Sequence, residues 1–170
     1  MRLAAAALLL WCGAIGAHAQ APAPAPRVDG VVIFERGIYR ADVIRRQDAP
    51  GTPTGDISVV DGMKIVSYAT MVPAKLGTRF GVRFRIVGFP MGTTIELAMV
   101  TRLPKEGLRN PKTGETILRS EYVAKHQIGD VSYRDFAFDE EWELVPGVWT
   151  FEILYQGRKL AEQAFTVVKP

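Results

Sequence analysis

Four basic side chains lie close together in the segment from Val72 to Gly88. They are Lys75, Arg79, Arg83 and Arg85. Such a stretch could line a groove that holds a phosphate or an acidic polymer. It could equally form one β-strand with a wet face, because successive side chains of a strand point to opposite sides. Apolar residues alternate with the cations from Arg79 onward, so we favour the strand.

The next apolar alternation predicts the partner of this strand. Ile95 begins a second strand after a short loop, and an antiparallel hairpin would place Arg85 opposite Glu96. The same register places Arg79 opposite Arg102. We therefore expect Arg85 to be paired. If the surface does bind an acidic ligand, we expect Arg79, Arg83 and Arg102 to bind it.

Carboxylates form a second group of candidate residues in the sequence DEEWE, from Asp139 to Glu143. The spaced ligands and tight glycine turn of an EF-hand loop are missing, so a solvated acidic loop is favoured over a calcium site. Glycosidase chemistry would need Glu141 or Glu143 near Glu121 or Glu152. The required separation of about 5–9.5 Å cannot be read from sequence spacing.

The remaining candidates for chemistry are few. Trp142 has an aromatic ring suited to stacking on a sugar or peptide, although closing one end of a hydrophobic core is the favoured role. A serine-histidine-aspartate triad would need His126, and no serine has the expected G-x-S-x-G turn. One histidine cannot supply a zinc site. The sequence thus predicts no catalytic residue, no metal site and no cofactor.

The N-terminus carries the pattern of a secretory signal peptide. Arg2 precedes a short apolar run, and Ala17-His18-Ala19 supplies the small residues that a signal peptidase reads. We expect cleavage after Ala19, which would remove a signal of residues 1–19 together with Cys12, the single cysteine. An alanine-proline linker follows at 20–27. These features predict a periplasmic protein, with secretion from the cell as the alternative.

The rest of the chain, 28–170, reads as a single all-β domain. Turn signals such as Asp61-Gly62 and Pro146-Gly147 punctuate short apolar alternations, which is typical of a sandwich. We predict an immunoglobulin-like antiparallel β-sandwich of about seven or eight strands, with Asp48 to Gly62 as a surface loop. The predicted strands are Asp29–Phe34, Gly37–Ile44, Ile65–Met71, Arg79–Val87, Thr93–Leu103, Thr116–Lys125, Gly147–Tyr155 and Lys159–Val168.

Three long motifs resemble a known bacterial family. They are VPAKLGTRFGVRFRIVG, RLPKEGLRNPKTGETILRSEY and DEEWELVPGVWTFEILYQGRKLAEQAFTV. Together they are similar to the family catalogued as domain of unknown function 3859, from about Val28 to Val168. The resemblance implies a single, often exported domain without an assigned activity, and it transfers no catalytic residue. The C-terminal hairpin also resembles the last two strands of bacterial immunoglobulin-like domains.

Two hypotheses of function follow, although the sequence alone does not name an activity. The first is a non-catalytic periplasmic module that binds an envelope protein, peptide or glycan. The second is a small secreted hydrolase that uses carboxylates on envelope glycans. The formal net charge of +3 is close to balance, which argues against a nucleic-acid partner. After signal cleavage we expect no transmembrane segment and a soluble protein.

Overall fold

The computed structural model describes residues 25–170, and this part of the chain is built from β-strands. The predicted signal peptide and residues 20–24 of the predicted linker lie outside the described residues. The elements are β1 Arg27–Asp48, β2 Asp56–Ser67, β3 Met71–Pro73, β4 Arg79–Phe89, β5 Thr94–Arg102, β6 Leu108–Arg109, β7 Thr116–Ile117, β8 Arg119–Gln127, β9 Val131–Ala137, a single 3-10 turn Glu141–Glu143, β10 Gly147–Tyr155 and β11 Arg158–Val168.

Two sheets pack face to face in this part of the chain. The first sheet has the strand order β2-β1-β4-β9, and the second has the order β3-β11-β10-β5-β8. All neighbouring strands are antiparallel except β3 and β11, which run parallel. The small ribbon β6-β7 lies outside both sheets. The predicted all-β, immunoglobulin-like sandwich is therefore confirmed, with nine described strands in the two sheets.

Aromatic side chains fill the space between the sheets. Phe80 of β4 lies 5.5 Å from Phe151 and 5.2 Å from Phe165 between ring centroids, and both partners belong to the second sheet. Trp149 approaches the same ring at 5.9 Å. The alternation predicted for β4 and for the C-terminal hairpin is confirmed, because each of these aromatic side chains is fully buried. Burying such large rings is a main source of stability in a domain of this size.

The predicted pairing of β4 with β5 is wrong. The loop after Phe89 carries the chain from the first sheet to the second, so the two strands face each other across the core. Arg85 lies opposite Val32 and Val131, whereas Glu96 lies opposite Lys125. An alternating pattern requires only one buried face on each strand. Facing sheets satisfy that requirement as well as a hairpin does.

Strands β6 and β9 lie outside the predicted strands, and of β2 only the end, residues 65–67, falls within the predicted strand Ile65–Met71. Most of β2 lies in the segment expected to be a surface loop, because aspartate, serine and glycine interrupt its apolar residues and only one of its residues is fully buried. Strand β9 was missed because Ser132 and Arg134 occupy the inward positions where an apolar side chain is expected. The predicted strands Asp29–Phe34 and Gly37–Ile44 are joined in the single strand β1, which passes through a bulge between Ile33 and Glu35.

Strands β1 and β2 extend beyond the sandwich as a two-stranded arm, residues 40–64. Strand β1 pairs with β4 up to Tyr39 and with β2 alone thereafter. The tip of the arm, residues 49–55, reaches the second sheet. The backbone N–H of Glu121 in β8 donates to the carbonyl oxygen of Gly51 at 2.9 Å, and Asn110 Nδ2 donates to the carbonyl oxygen of Pro53 at 2.8 Å. The arm therefore joins both sheets.

Replacing Gly51 with alanine will detach the tip of the arm. A Cβ atom at this position would lie 2.0 Å from the carbonyl oxygen of Glu121, which is closer than van der Waals contact allows. We expect faster amide hydrogen exchange at Glu121, measured by NMR, together with an intact sandwich core. Gly30→Ala is the matched control, because a Cβ there meets no atom within 4 Å. Equal protection of Glu121 in both variants would contradict this account of the arm.

Candidate functional site

A cavity of about 80 Å³ lies between the arm and the facing edges of strands β8 and β9. Its walls are polar and charged. The arm and its tip contribute Arg46, Thr52, Pro53, Thr54, Asp56, Ile57 and Ser58, and the sandwich contributes Arg79, Ser120, Tyr122, Arg134, Asp135, Phe136, Ala137, Asp139 and Glu143. We refer to this space as the arm cavity. Charged side chains at such a density inside a fold need partners, so their pairing decides what the cavity can bind.

Two of the three arginines in the arm cavity are neutralised by carboxylates. Arg46 of the arm forms ion pairs with Asp56 and with Asp139, both at 2.8 Å. Arg79 is buried and forms an ion pair with Asp135 of the neighbouring strand. The pair with Asp139 ties the arm to the segment after β9. These five side chains thus line the cavity as ion pairs rather than as a free basic surface.

The third arginine, Arg134, has no carboxylate partner among residues 25–170. Only 4% of its surface is exposed. Its guanidinium group lies 4.8 Å from the ring centroid of Phe151 and 5.2 Å from that of Tyr122. The terminal nitrogens donate to the carbonyl oxygen of Asp135 and to Thr101 Oγ1, while Nε makes no hydrogen bond with the described residues.

Glu143 is the most perturbed carboxyl group of the cavity. Its Oε2 accepts hydrogen bonds from the backbone N–H groups of Asp139 and Glu140, at 2.7 and 2.9 Å, and closes the single 3-10 turn. Burial raises its pKa to about 7, and the two N–H groups only partly offset this effect. Glu143 therefore changes its protonation state near neutral pH.

The structure separates the residues that the sequence proposed for an anion site. Arg79 is buried in the arm cavity. Arg83 lies on the outer face of the first sheet, where its side chain contacts Glu35 at 3.4 Å and the hydroxyl of Tyr133 at 2.9 Å. Arg102 lies on the second sheet and pairs with Glu152 at 2.9 Å. Trp142 packs against the hydrophobic core. The three arginines do not form one surface.

The carboxylates proposed for hydrolysis also have other partners. Glu121 pairs with Arg119, and Glu152 accepts from both Arg102 and Lys159. Although burial acts to raise the pKa of Glu152, the hydrogen bonds from those two cations lower it. A general acid needs a raised pKa, so Glu152 is poorly suited to that role. Glu141 is exposed, and Glu143 lines the arm cavity.

His126 and Ser132 form a contact that the sequence did not reveal. Nδ1 of His126 lies 3.0 Å from Ser132 Oγ, and Nε2 is buried without a hydrogen-bond partner among the described residues. Burial lowers the pKa of His126. A triad would place a carboxylate at the second ring nitrogen, so this pair lacks the orienting group. No cluster of three or more histidine, cysteine, aspartate or glutamate side chains in residues 25–170 is arranged to hold a metal ion.

A second surface of interest is the part of the first sheet that the arm leaves uncovered. Arg85 of β4 is exposed, and its two cross-strand neighbours on the same face are Val32 of β1 and Val131 of β9. Val32 is 53% exposed and Val131 is 40% exposed. Val87 lies two residues along β4 on the same face and is 43% exposed. We call these four residues the valine face. Within the described residues, no carboxylate lies within 4 Å of Arg85.

The two packed sheets place the protein among the immunoglobulin-like β-sandwiches. The crystal structure of an immunoglobulin-like protein from Pseudomonas aeruginosa is similar to it, with 27% identity, a TM-score of 0.58 and coverage of 85% of this chain and 98% of that one. The chain belongs to the family described as domain of unknown function DUF3859, which matches residues 28–167.

Two further comparisons add little. A DNA-bound alkylpurine DNA glycosylase from Pseudomonas fluorescens shares 14% identity at a TM-score of 0.35, over 58% of this chain and 27% of that one, which is too low to support an argument. No curated protein matches the chain significantly.

Within the described part of the chain, no helix has the length and apolar character needed to cross a bilayer.

The pKa of Glu143 predicts a pH dependence of stability. Between about pH 4.5 and pH 7 the native protein holds a proton that the unfolded chain has released, so this group stabilises the fold at low pH and loses its effect as the pH rises through about 7. Relative to Glu143→Gln, the wild-type free energy of unfolding should fall by up to about 3 kcal/mol across this window. Urea denaturation at several pH values measures the difference. A constant difference would contradict the raised pKa.

Proposed function

We propose that this domain is a non-catalytic interaction module of the bacterial cell envelope, exported to the periplasm, and that it binds a protein partner through the valine face. The exposed Arg85 among three exposed valines carries this proposal. Apolar residues around an arginine are typical of the central part of protein–protein interfaces. Such a surface also differs from the other sheet, whose outer face carries the ion pairs of Glu152.

The chemistry of the valine face indicates the kind of partner. Arg79 and Arg83 each have a carboxylate beside them, but Arg85 has none in the described part of the chain. A partner that brings an aspartate or glutamate flanked by apolar side chains would pair with the guanidinium group and cover the valines. A symmetric dimer centred on this face would instead bring two Arg85 side chains together, which disfavours a second copy as the occupant.

Site-specific photocrosslinking in the periplasm tests this proposal. A photoreactive phenylalanine analogue at Val32 should give a protein adduct, whereas the same analogue at Val123, an exposed valine on the other sheet, should not. Arg85→Glu should reduce the Val32 adduct by at least about tenfold, a change of about 1.4 kcal/mol. The exposed Arg109→Glu serves as the charge-matched control.

Three outcomes would contradict the proposal. They are a Val32 adduct that persists with Arg85→Glu, equal adducts from both positions, and a crosslinked homodimer. Mass spectrometry of the adduct supplies a further criterion, because the crosslinked partner peptide should contain an aspartate or glutamate.

One observation favours a second candidate function, hydrolysis of envelope glycans. Glu143 has a pKa of about 7 and lines the arm cavity together with Asp56 and Asp139, as a general acid with neighbouring carboxylates would. If this function is correct, purified protein releases fragments from envelope glycans, and Glu143→Gln abolishes the release. The exposed Glu141→Gln should leave it unchanged. Absence of any release by the wild type would refute this function.

A further inference from the structure

The guanidinium group of Arg134 is a buried cation held in a defined orientation. The rings of Phe151 and Tyr122 lie against it, and Thr101 and the carbonyl oxygen of Asp135 accept its terminal N–H groups. Its partners thus come from both sheets. A charge removed from water in this way is costly unless an opposite charge compensates it.

The groups around Arg134 do not provide that opposite charge. Asp135 directs its carboxylate to Arg79, and Asp56 and Asp139 direct theirs to Arg46. The fourth carboxyl group of the cavity, that of Glu143, accepts from two backbone N–H groups. Burial raises the pKa of Tyr122, although Arg134 acts in the opposite direction, so the phenol stays neutral at physiological pH. The guanidinium Nε has no acceptor among the described residues. The arm cavity is therefore lined by a buried cation that no carboxylate of residues 25–170 neutralises.

We propose that the arm cavity binds a small carboxylic acid whose carboxylate pairs with Arg134. A carboxylate is planar and accepts two parallel hydrogen bonds from one edge of a guanidinium group, which a halide ion cannot do. The buried Ser120 lines the same cavity and offers a hydroxyl group to the ligand. This site is separate from the valine face and goes beyond the interaction proposed for that face.

The size of the cavity limits the ligand. A cavity needs about 10–15 Å³ to hold one water molecule, so about 80 Å³ holds roughly six water-sized groups. Acetate has four non-hydrogen atoms and fits within that volume. An aromatic acid does not, since a cavity that holds a benzene ring measures about 150 Å³. The arm forms one side of the cavity.

NMR titration of the Nε–H resonance of Arg134 tests the site directly. Sodium acetate, added at constant ionic strength by replacing sodium chloride, should shift this resonance along a saturable curve. The resonance of Arg102, an exposed ion-paired arginine, should change little. Benzoate should have no saturable effect because of its size.

A pair of variants provides the control. Arg134→Met should abolish saturable acetate binding measured by the chemical shifts of neighbouring backbone amides, while Arg83→Met, on the outer face, should retain it. If Arg134→Met does not fold, the wild-type titration decides alone. The proposal is wrong if Arg134 shows no saturable shift, if Arg102 responds equally, if benzoate binds as well as acetate, or if a folded Arg134→Met variant still binds.

Discussion

Phe80 lies at the centre of the molecule, in ring contact with Phe136, Phe138, Trp149, Phe151 and Phe165. This packing fixes which face of β4 points into the sandwich. Since side chains alternate along a strand, the same contact sends the arginines of β4 to the opposite face. A one-residue slip would place those charges in the core, so the aromatic cluster determines both the register of the first sheet and the position of its charged side chains.

The arginines of β4 have different contact partners, because different residues of the arm and of the neighbouring strands lie beside each of them. Arg79 falls beneath the arm and pairs with Asp135, Arg83 meets Glu35 and Tyr133, and Arg85 is left between two valines. The edge of the core between β8 and β9 is polar for a related reason. The side chains of Ser132 and Arg134 in β9 point into the sandwich. There Ser132 contacts His126, and Arg134 contacts Tyr122 and Thr101 of the second sheet. The resulting edge is the place where a small polar molecule can enter the fold.

The fold class could be predicted from the sequence because the apolar alternation of β4, β10 and β11 needs no knowledge of neighbours. Sheet assignment could not, since β4 and β5 carry patterns that fit a hairpin and a pair of facing sheets equally well. Arg134 could not be predicted as a site residue, because a single arginine in a polar segment gives no sign that its side chain is buried. One signal was present: Ser132, Arg134 and Phe136 share the spacing of a strand face, and Phe136 indicates that this face is the inner one.

The arm has a consequence for how the two sheets are held together. Many small exported β-sandwiches link their sheets with a disulfide, but residues 25–170 contain no cysteine. Here β1 stops pairing with β4 at Tyr39, and the arm that it forms with β2 hydrogen-bonds to β8 of the second sheet through Gly51. The arm is therefore a non-covalent link between the two sheets. Unlike a disulfide, it consists of hydrogen bonds and the ion pair between Arg46 and Asp139, so it links the two sheets without depending on an oxidising compartment.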